Sequence, residues 1–319
     1  MKFINPKTDF AFKKIFGSDQ SHAILISFLN GMLYNSDPTI QDLEILNPYQ
    51  APKVLGIKAT YLDIRAKLIG GEMVIIEMQV LNVAGFEKRV LYNAAKAYSM
   101  QLDSGQSYVK LNPVIALTIV DFELFPGVKE VISRFVLKER QMLIDYPIND
   151  LELVFVELPK FKLTLNQLAT LTDQWLYFFQ NAPGLRSVPS TMRDVPEIQQ
   201  AFSIAEEARL TRDEIDELER QSFYIYNQEG ALTKATEDAE KRGLERGLER
   251  GLERGLERGL ERGLERGIEQ GIEQGIEQGI EQGIEQGKLD IARRLLALLD
   301  NEAIAQSTGL SIEEIQALR

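Results

Sequence analysis

The sequence predicts an α/β domain followed by helices, and three observations lead there. Three apolar runs bounded by Gly, Pro or Asn have strand length, a segment rich in helix formers separates the second from the third, and beyond Leu165 apolar residues recur at spacings of three and four. The chain has 319 residues, 44% hydrophobic and 26% charged, enough for one large domain or two small ones with a proper core. Those fractions exclude wholesale disorder, a collagen-like chain and a small disulfide scaffold.

Taken in order, Phe12, Ile15, Phe16, Ile24, Leu25, Phe28, Leu29 and Leu33 predict two amphipathic helices over 8–34 with a break near Gly17 and Ser18. TYLDIRAKLI (60–69), EMVIIEMQV (72–80) and PVIALTIVDF (113–122) are expected as strands of one sheet. Between the last two, FEKRVLYNAAKAYSMQL (86–102), ended by Asp103, Ser104 and Gly105, predicts a connecting helix that allows them to run parallel. VFVEL (154–158) adds a strand, WLYFF (175–179) and the stretch from Val195 to Glu240 are helical, and Trp175 is assigned to the core.

Residues 243–286 form a perfect array of six GLER and five GIEQ tetrapeptides. A period of four exceeds 3.6, so the Leu/Ile stripe drifts by about 40° per repeat and favours a right-handed supercoil. Glycine in a helix costs roughly 0.8–1 kcal/mol relative to alanine, which leaves two readings open: a self-association stalk or a solvated linker. Four codons are twelve nucleotides, so gain or loss of a repeat keeps the reading frame. The final segment, 288–319, predicts a helix, a turn at Gly309, and a short helix opened by Ser311 with Glu314 three residues on. Its outline is half of a helix-turn-helix, but IEEIQAL offers two glutamates and Gln316 where base readers need donors, which favours a helical interaction cap.

The chain has no cysteine and one histidine, His22, which removes thiolate chemistry and makes a His-based zinc site or a Ser-His-Asp triad improbable. Hydrolytic chemistry would rest on carboxylates. The first residues lack an apolar leader segment and no apolar stretch reaches membrane-span length, so a soluble cytoplasmic protein is expected. Net charge is −12, yet residues 1–100 carry 11 Lys and Arg against 9 Asp and Glu; 101–240 carry 13 against 23, and 241–319 carry 12 against 16. A weakly basic first third inside an acidic chain is compatible with transient admission of DNA and hard to reconcile with tight coating of a duplex.

The segment 60–80 concentrates the chemistry. Leu62, Ile64 and Leu68 alternate with Tyr61, Asp63, Arg65 and Lys67; Val74, Ile76, Met78 and Val80 alternate with Met73, Ile75, Glu77 and Gln79. The apolar faces coincide only if paired numbers sum to an even value, such as Leu62 with Met78 and Ile64 with Ile76. That places Asp63 opposite Glu77. An even sum needs an odd-length loop, and Gly70-Gly71 supplies the left-handed residue of a three-residue hairpin loop. Two facing carboxylates, with Gln79 one step along, suit Mg²⁺, whose charge supports phosphodiester hydrolysis without histidine; a polar outer hairpin face is the bland alternative.

The stretches KTDFAFKKIFG (7–17), ILISFLNGML (24–33), YLDIRAK (61–67), IIEMQ (75–79), FEKRVLYNAAKAYSMQL and LNPVIALTIVDFELF (111–125) resemble, in order and spacing, the Rpn-type recombination-promoting nuclease and transposase family, a branch of the PD-(D/E)XK superfamily. The resemblance continues more loosely into WLYFF, the repeat and the tail. It implies a restriction-endonuclease-like core with a mixed sheet. It also implies Asp63 and Glu77 as metal ligands with the carbonyl of Met78, and Gln79 at the position of the superfamily lysine. Glutamine orients water but brings no charge, so Lys67 is a candidate substitute, although a surface lysine explains it as well. Asp9 and Lys13, four apart on the first helix, either complete the site or form a surface ion pair. Arg89, Asn93 and Lys96 recur at helical spacing as a face for the DNA backbone or for solvent; Tyr92 and Tyr98 lie on the same helix.

These readings give a nuclease-like domain over 1–160, a helical region over 161–242, the repeat over 243–287 and a helical cap over 288–319. The expected function is a Mg²⁺-dependent DNA endonuclease of low sequence specificity, linked to recombination, transposon-like activity or defence. DNA is its partner, no membrane is involved, and homo-oligomers form through the repeat. The alternatives are a catalytically inactive adaptor of the same fold that binds DNA or another partner, and an assembly protein in which the repeat dominates.

Overall fold

The computed structural model describes residues 2–50 and 60–319. The chain forms two compact units, Met1–Thr233 and Lys234–Arg319.

In the first unit, the Thr8 hydroxyl caps α1 (Asp9–Phe16) by accepting the N–H of Ala11 at 3.3 Å. A break at Gly17 and Ser18 separates it from α2 (His22–Leu33). Then come β1 (Leu43–Leu46), β2 (Tyr49–Gln50), β3 (Thr60–Tyr61), β4 (Ile64–Leu68), β5 (Met73–Gln79), α3 (Phe86–Ser99), β6 (Val114–Val120), β7 (Ile132–Phe135) and β8 (Leu151–Glu157). The unit closes with α4 (Leu171–Asn181), α5 (Pro196–Ile204) and the first turns of α6 (Arg212–Leu295).

Six strands make one mixed sheet in the order β1-β4-β5-β6-β8-β7. β5, β6 and β8 run parallel, as a helical β5–β6 crossover permits, while β1, β4 and β7 are antiparallel to their neighbours. Helices cover both faces, which is why every residue of β6 is buried and why it has an uninterrupted apolar run. One face packs Ile64, Ala66, Val74, Ile76, Leu117, Ile119 and Val156 against α1, α2, α4 and α5. Here Phe12, Phe16, Phe28, Trp175 and Phe179 form a cluster of touching rings. The helices beyond residue 160 are thus part of this core rather than a region apart. The other face packs Met73, Ile75, Val114, Ala116 and Phe155 under Phe86, Val90, Ala94 and Ala97 of α3.

The hairpin has the register expected from the apolar pattern: Ile64 pairs with Ile76 and Lys67 with Met73. Leu68 and Glu72 close a loop in which Gly71 has φ +97°, the left-handed residue such a loop requires. The run 60–69 is not one strand, however. The chain bends at Asp63, β3 pairs with β2 in a separate two-stranded sheet, and Leu62 joins the α3 side while Ile64 joins the other. The expectation that Leu62 and Ile64 share a face is corrected by this bend. The side-chain direction of Tyr61 lies outside the described residues. β1 and β7, the edges of the sheet, have only four residues each, too short to stand out from their surroundings in sequence.

In the second unit the array is helical, within α6. Its Leu and Ile residues, from Leu244 to Ile284, are 54–77% exposed. The end of α6, α7 (Asn301–Thr308) and α8 (Ile312–Ala317) enclose a small core of Ala292, Ile304, Leu310 and Ile315. Gly309 turns the chain at φ +70°, and Ser311 and Glu314 form the expected capping box. Among the described residues no helix is long and apolar enough to cross a membrane.

Candidate active site

The candidate site lies where the hairpin ends away from its Gly70-Gly71 loop. Asp63, freed from the ladder by the bend, accepts the backbone N–H of Met78 through Oδ2 at 2.7 Å. Its other oxygen faces α1, where Lys13 Nζ stands 3.6 Å from Asp63 Oδ1 and 2.6 Å from Asp9 Oδ1. The first-helix pair is therefore joined to Asp63 rather than being a remote surface pair. Burial pushes the Asp63 carboxyl up to about 7, and the negative charge of Asp9 adds to this; the Met78 N–H and the Lys13 ammonium oppose it. Burial lowers the Lys13 ammonium, but Asp9 and Asp63 outweigh it and leave the group raised.

Glu77 is held from the opposite side of the sheet. Asn93 Nδ2 donates to its Oε1 at 2.5 Å, and Arg89 Nε lies 3.9 Å from Oε2. Burial raises the Glu77 carboxyl, while the Asn93 amide and the Arg89 charge restrain the shift. Asn93 Oδ1, buried beside it, has no partner among the described residues. Gln79, two residues on, accepts from Arg89 Nη2 at 2.5 Å and donates to the Leu81 carbonyl at 2.6 Å. The two carboxylates are thus gripped from different helices, Asp63 being tied to the N–H of Met78, the next residue after Glu77 in the chain.

The arrangement differs from a single polar hairpin face. Asp63 looks toward α1, and Glu77 and Gln79 toward α3, because the bend turns Asp63 out of strand alternation. The expected outward face of Arg89, Asn93 and Lys96 is likewise corrected. Asn93 and Lys96 are buried because α3 lies flat on the sheet, and only Arg89 reaches the rim, where it also stacks over Phe86 at 5.4 Å. Burial pushes the Lys96 ammonium down. Tyr92 lies on the exposed side of α3, and Tyr98 donates to Asp150 at 2.7 Å. Lys67, paired with Met73, is at the loop end of β4, about 13 Å along the strand from Asp63.

A cleft of about 400 Å³ opens beside these groups, lined by Lys7, Asp9, Met78 and Gln79 on one side and by Glu217, Arg220, Gln221 and Tyr224 of α6 on the other. The α6 wall is docked by the Phe10 N–H donating to Gln221 Oε1 at 2.8 Å and by a Lys14–Glu214 ion pair. Neither Lys7 nor this wall is singled out by sequence, since their approach to the hairpin is long-range. Among the described residues no group of three or more His, Asp or Glu side chains is placed to hold a metal ion. The nearby donors are of the type such an ion takes: all oxygens, two largely buried carboxylates with raised proton affinity, beside an Asn93 Oδ1 that has no partner among the described residues. Mg²⁺ binds through one or two carboxylates and keeps several waters, so this set suits it.

Neither a curated protein nor a solved structure matches the chain. A family model described as PD-(D/E)XK nuclease family transposase matches residues 6–235, the span that carries the sheet, its covering helices and the cleft wall. With a mixed sheet and helices on both faces, and a long C-terminal helix after them, the chain belongs to the PD-(D/E)XK nuclease family transposases.

Proposed function

We propose that the protein is a Mg²⁺-dependent DNA endonuclease of low sequence specificity that acts in the cytoplasm in recombination, transposon-like exchange or defence against invading DNA. The observation that carries this reading is the pair of largely buried carboxylates, Asp63 bonded to the N–H of Met78 and Glu77 preceding Met78 in β5, with Met78 itself lining a cleft. Asp63, Glu77 and the Met78 carbonyl would hold the ion. When bound, Mg²⁺ supplies the positive charge that activates water and neutralises the scissile phosphate. Gln79 orients the attacking water by hydrogen bonding, and Arg89, at the rim, holds a phosphate oxygen. Low specificity accords with the residues available, since contacts of this kind read the backbone rather than base edges.

The test is conversion of supercoiled plasmid to open circle with Mg²⁺. The wild type should nick, and Asp63→Ala should not while still binding DNA. A folded wild type that binds DNA without nicking it would favour the adaptor reading. That second reading draws on Gln79, whose amide is engaged by Leu81 and Arg89 and brings no charge.

The repeat supports self-association through its exposed Leu/Ile stripe. Deleting 243–286 should lower the number of chains per particle measured by light scattering; an unchanged oligomeric state removes the stalk reading.

A further inference from the structure

Hydrolysis of a phosphodiester builds negative charge on the attacking oxygen and on the phosphoryl oxygens, and a cation fixed beside them stabilises that charge most where water is scarce. Gln79 cannot supply it and Lys67 is at the wrong end of the strand. The other cations near Gln79 are fastened to other elements. Lys13 bridges Asp9 and Asp63, Arg89 lies on the α3 side against Gln79 and Phe86, and Arg220 pairs with Glu217 at 2.6 Å on the opposite wall.

Lys7 is different. It lines the cleft with Asp9, Met78 and Gln79, and its side chain is only 18% exposed. Its ammonium is fixed 2.5 Å from Asp121 Oδ2, and the backbone N–H of Asp121 donates to the carbonyl of Gln79 at 3.0 Å. One residue therefore ties the Lys7 ammonium to the end of β5. Beyond Asp121 the chain is anchored in turn, because the buried carboxylate of Glu157 accepts the N–H groups of Leu124 and Phe125 at 2.6 and 3.0 Å. An ammonium has three donors. Asp121 takes one and leaves the rest for a ligand in the cleft.

We infer that Lys7 is the catalytic cation of this cleft, supplying from the segment before α1 the positive charge that Gln79 leaves out of β5. This rests on the nuclease reading above. In the step it serves, the oxygen of one water bonds to phosphorus, one P–O ester bond breaks, the attacking water gives up a proton and the departing oxygen takes one. Lys7 holds the negative charge in between, and no other reactant is consumed.

The test compares full-length variants by single-turnover plasmid nicking in Mg²⁺, by DNA binding in EDTA and by circular dichroism. Lys7→Gln should slow nicking by about 100-fold, a loss typical of one charge-stabilising donor, with DNA affinity within about threefold of wild type and an unchanged dichroism spectrum. Lys67→Gln should nick like the wild type. Asp121→Asn, which loosens the ammonium but keeps it, should lose less than about tenfold. Gln79→Lys added to Lys7→Gln should recover at least about tenfold. Where Lys7→Gln loses its fold, Lys7→Met, which keeps the aliphatic stem, takes its place. The inference is overturned if the Lys7 variant nicks within about threefold of wild type, if Asp121→Asn is as impaired as it is, or if Gln79→Lys restores nothing. A wild type that does not nick overturns the nuclease reading instead, a result distinct from all of these.

Discussion

Oδ2 of Asp63 accepts the backbone N–H of Met78 at 2.7 Å, so a residue outside the β4 ladder is fastened to the site by the neighbouring strand β5. The bond favours the carboxylate, yet burial outweighs it and holds the group up to about 7. A carboxyl whose folded pKa exceeds its unfolded value, near 3.9, binds protons more tightly when folded. Its contribution to stability is complete below the unfolded value and is lost as pH rises toward 7. With metal absent, the melting temperature of wild type should therefore fall relative to Asp63→Asn between pH 5 and 8, by roughly 5–10 °C, at about 2–4 °C per kcal/mol for a domain of this size. Parallel melting curves across that range would contradict the assigned burial.

Asn93 restrains the proton affinity of Glu77. Its replacement by alanine removes a donor that favours the carboxylate, so Glu77 should hold its proton to higher pH. The acid limb of a nicking pH profile should move upward in Asn93→Ala. Arg89→Ala should move it less, because Arg89 is half-exposed and 3.9 Å away. Equal displacement in both, or none in Asn93→Ala, contradicts this account of Glu77.

Glu157 is fully buried, pairs with Lys160 at 2.5 Å and anchors the segment after Asp121. Glu157→Leu leaves the buried Lys160 ammonium without its counter-charge, with only the Phe125 carbonyl at 3.1 Å, and about 3–5 kcal/mol of stability should be lost in chemical denaturation. A loss below about 1 kcal/mol would mean that the Phe125 carbonyl and water suffice for the Lys160 ammonium.

The array glycines leave open space where a Cβ would stand. Replacing Gly247, Gly255, Gly263 and Gly271 by alanine should stabilise the helix by about 0.8–1 kcal/mol at each position, raising the thermal midpoint of the 222 nm signal. No change would indicate that the array is not helical in solution.

Much of this fold is legible from local pattern because local pattern determines it. The period-two alternation of β4 and β5, with Gly71 in the left-handed region, gives the hairpin pairing, and the all-apolar run of β6 marks a strand covered on both faces. The site is less legible. The bend at Asp63 is compensated by the amide of Met78, a bond that strand periodicity does not contain. Asn93 has the same helical spacing as a solvent-facing residue would, and only the packing of α3 on the sheet turns it inward. Lys7 and the α6 wall reach the cleft by tertiary contacts, with Gln221 crossing from a distant segment to the N–H of Phe10.

The array behaves as a graduated spacer within the second unit. Each tetrapeptide lengthens the helix by about 6 Å and rotates the chain beyond it by about 40°, so about nine insertions would bring the terminal three-helix cap back to its starting azimuth. Copy-number drift would therefore re-aim that cap as well as displace it. Chains differing by one repeat would present it at different angles about the axis of the array.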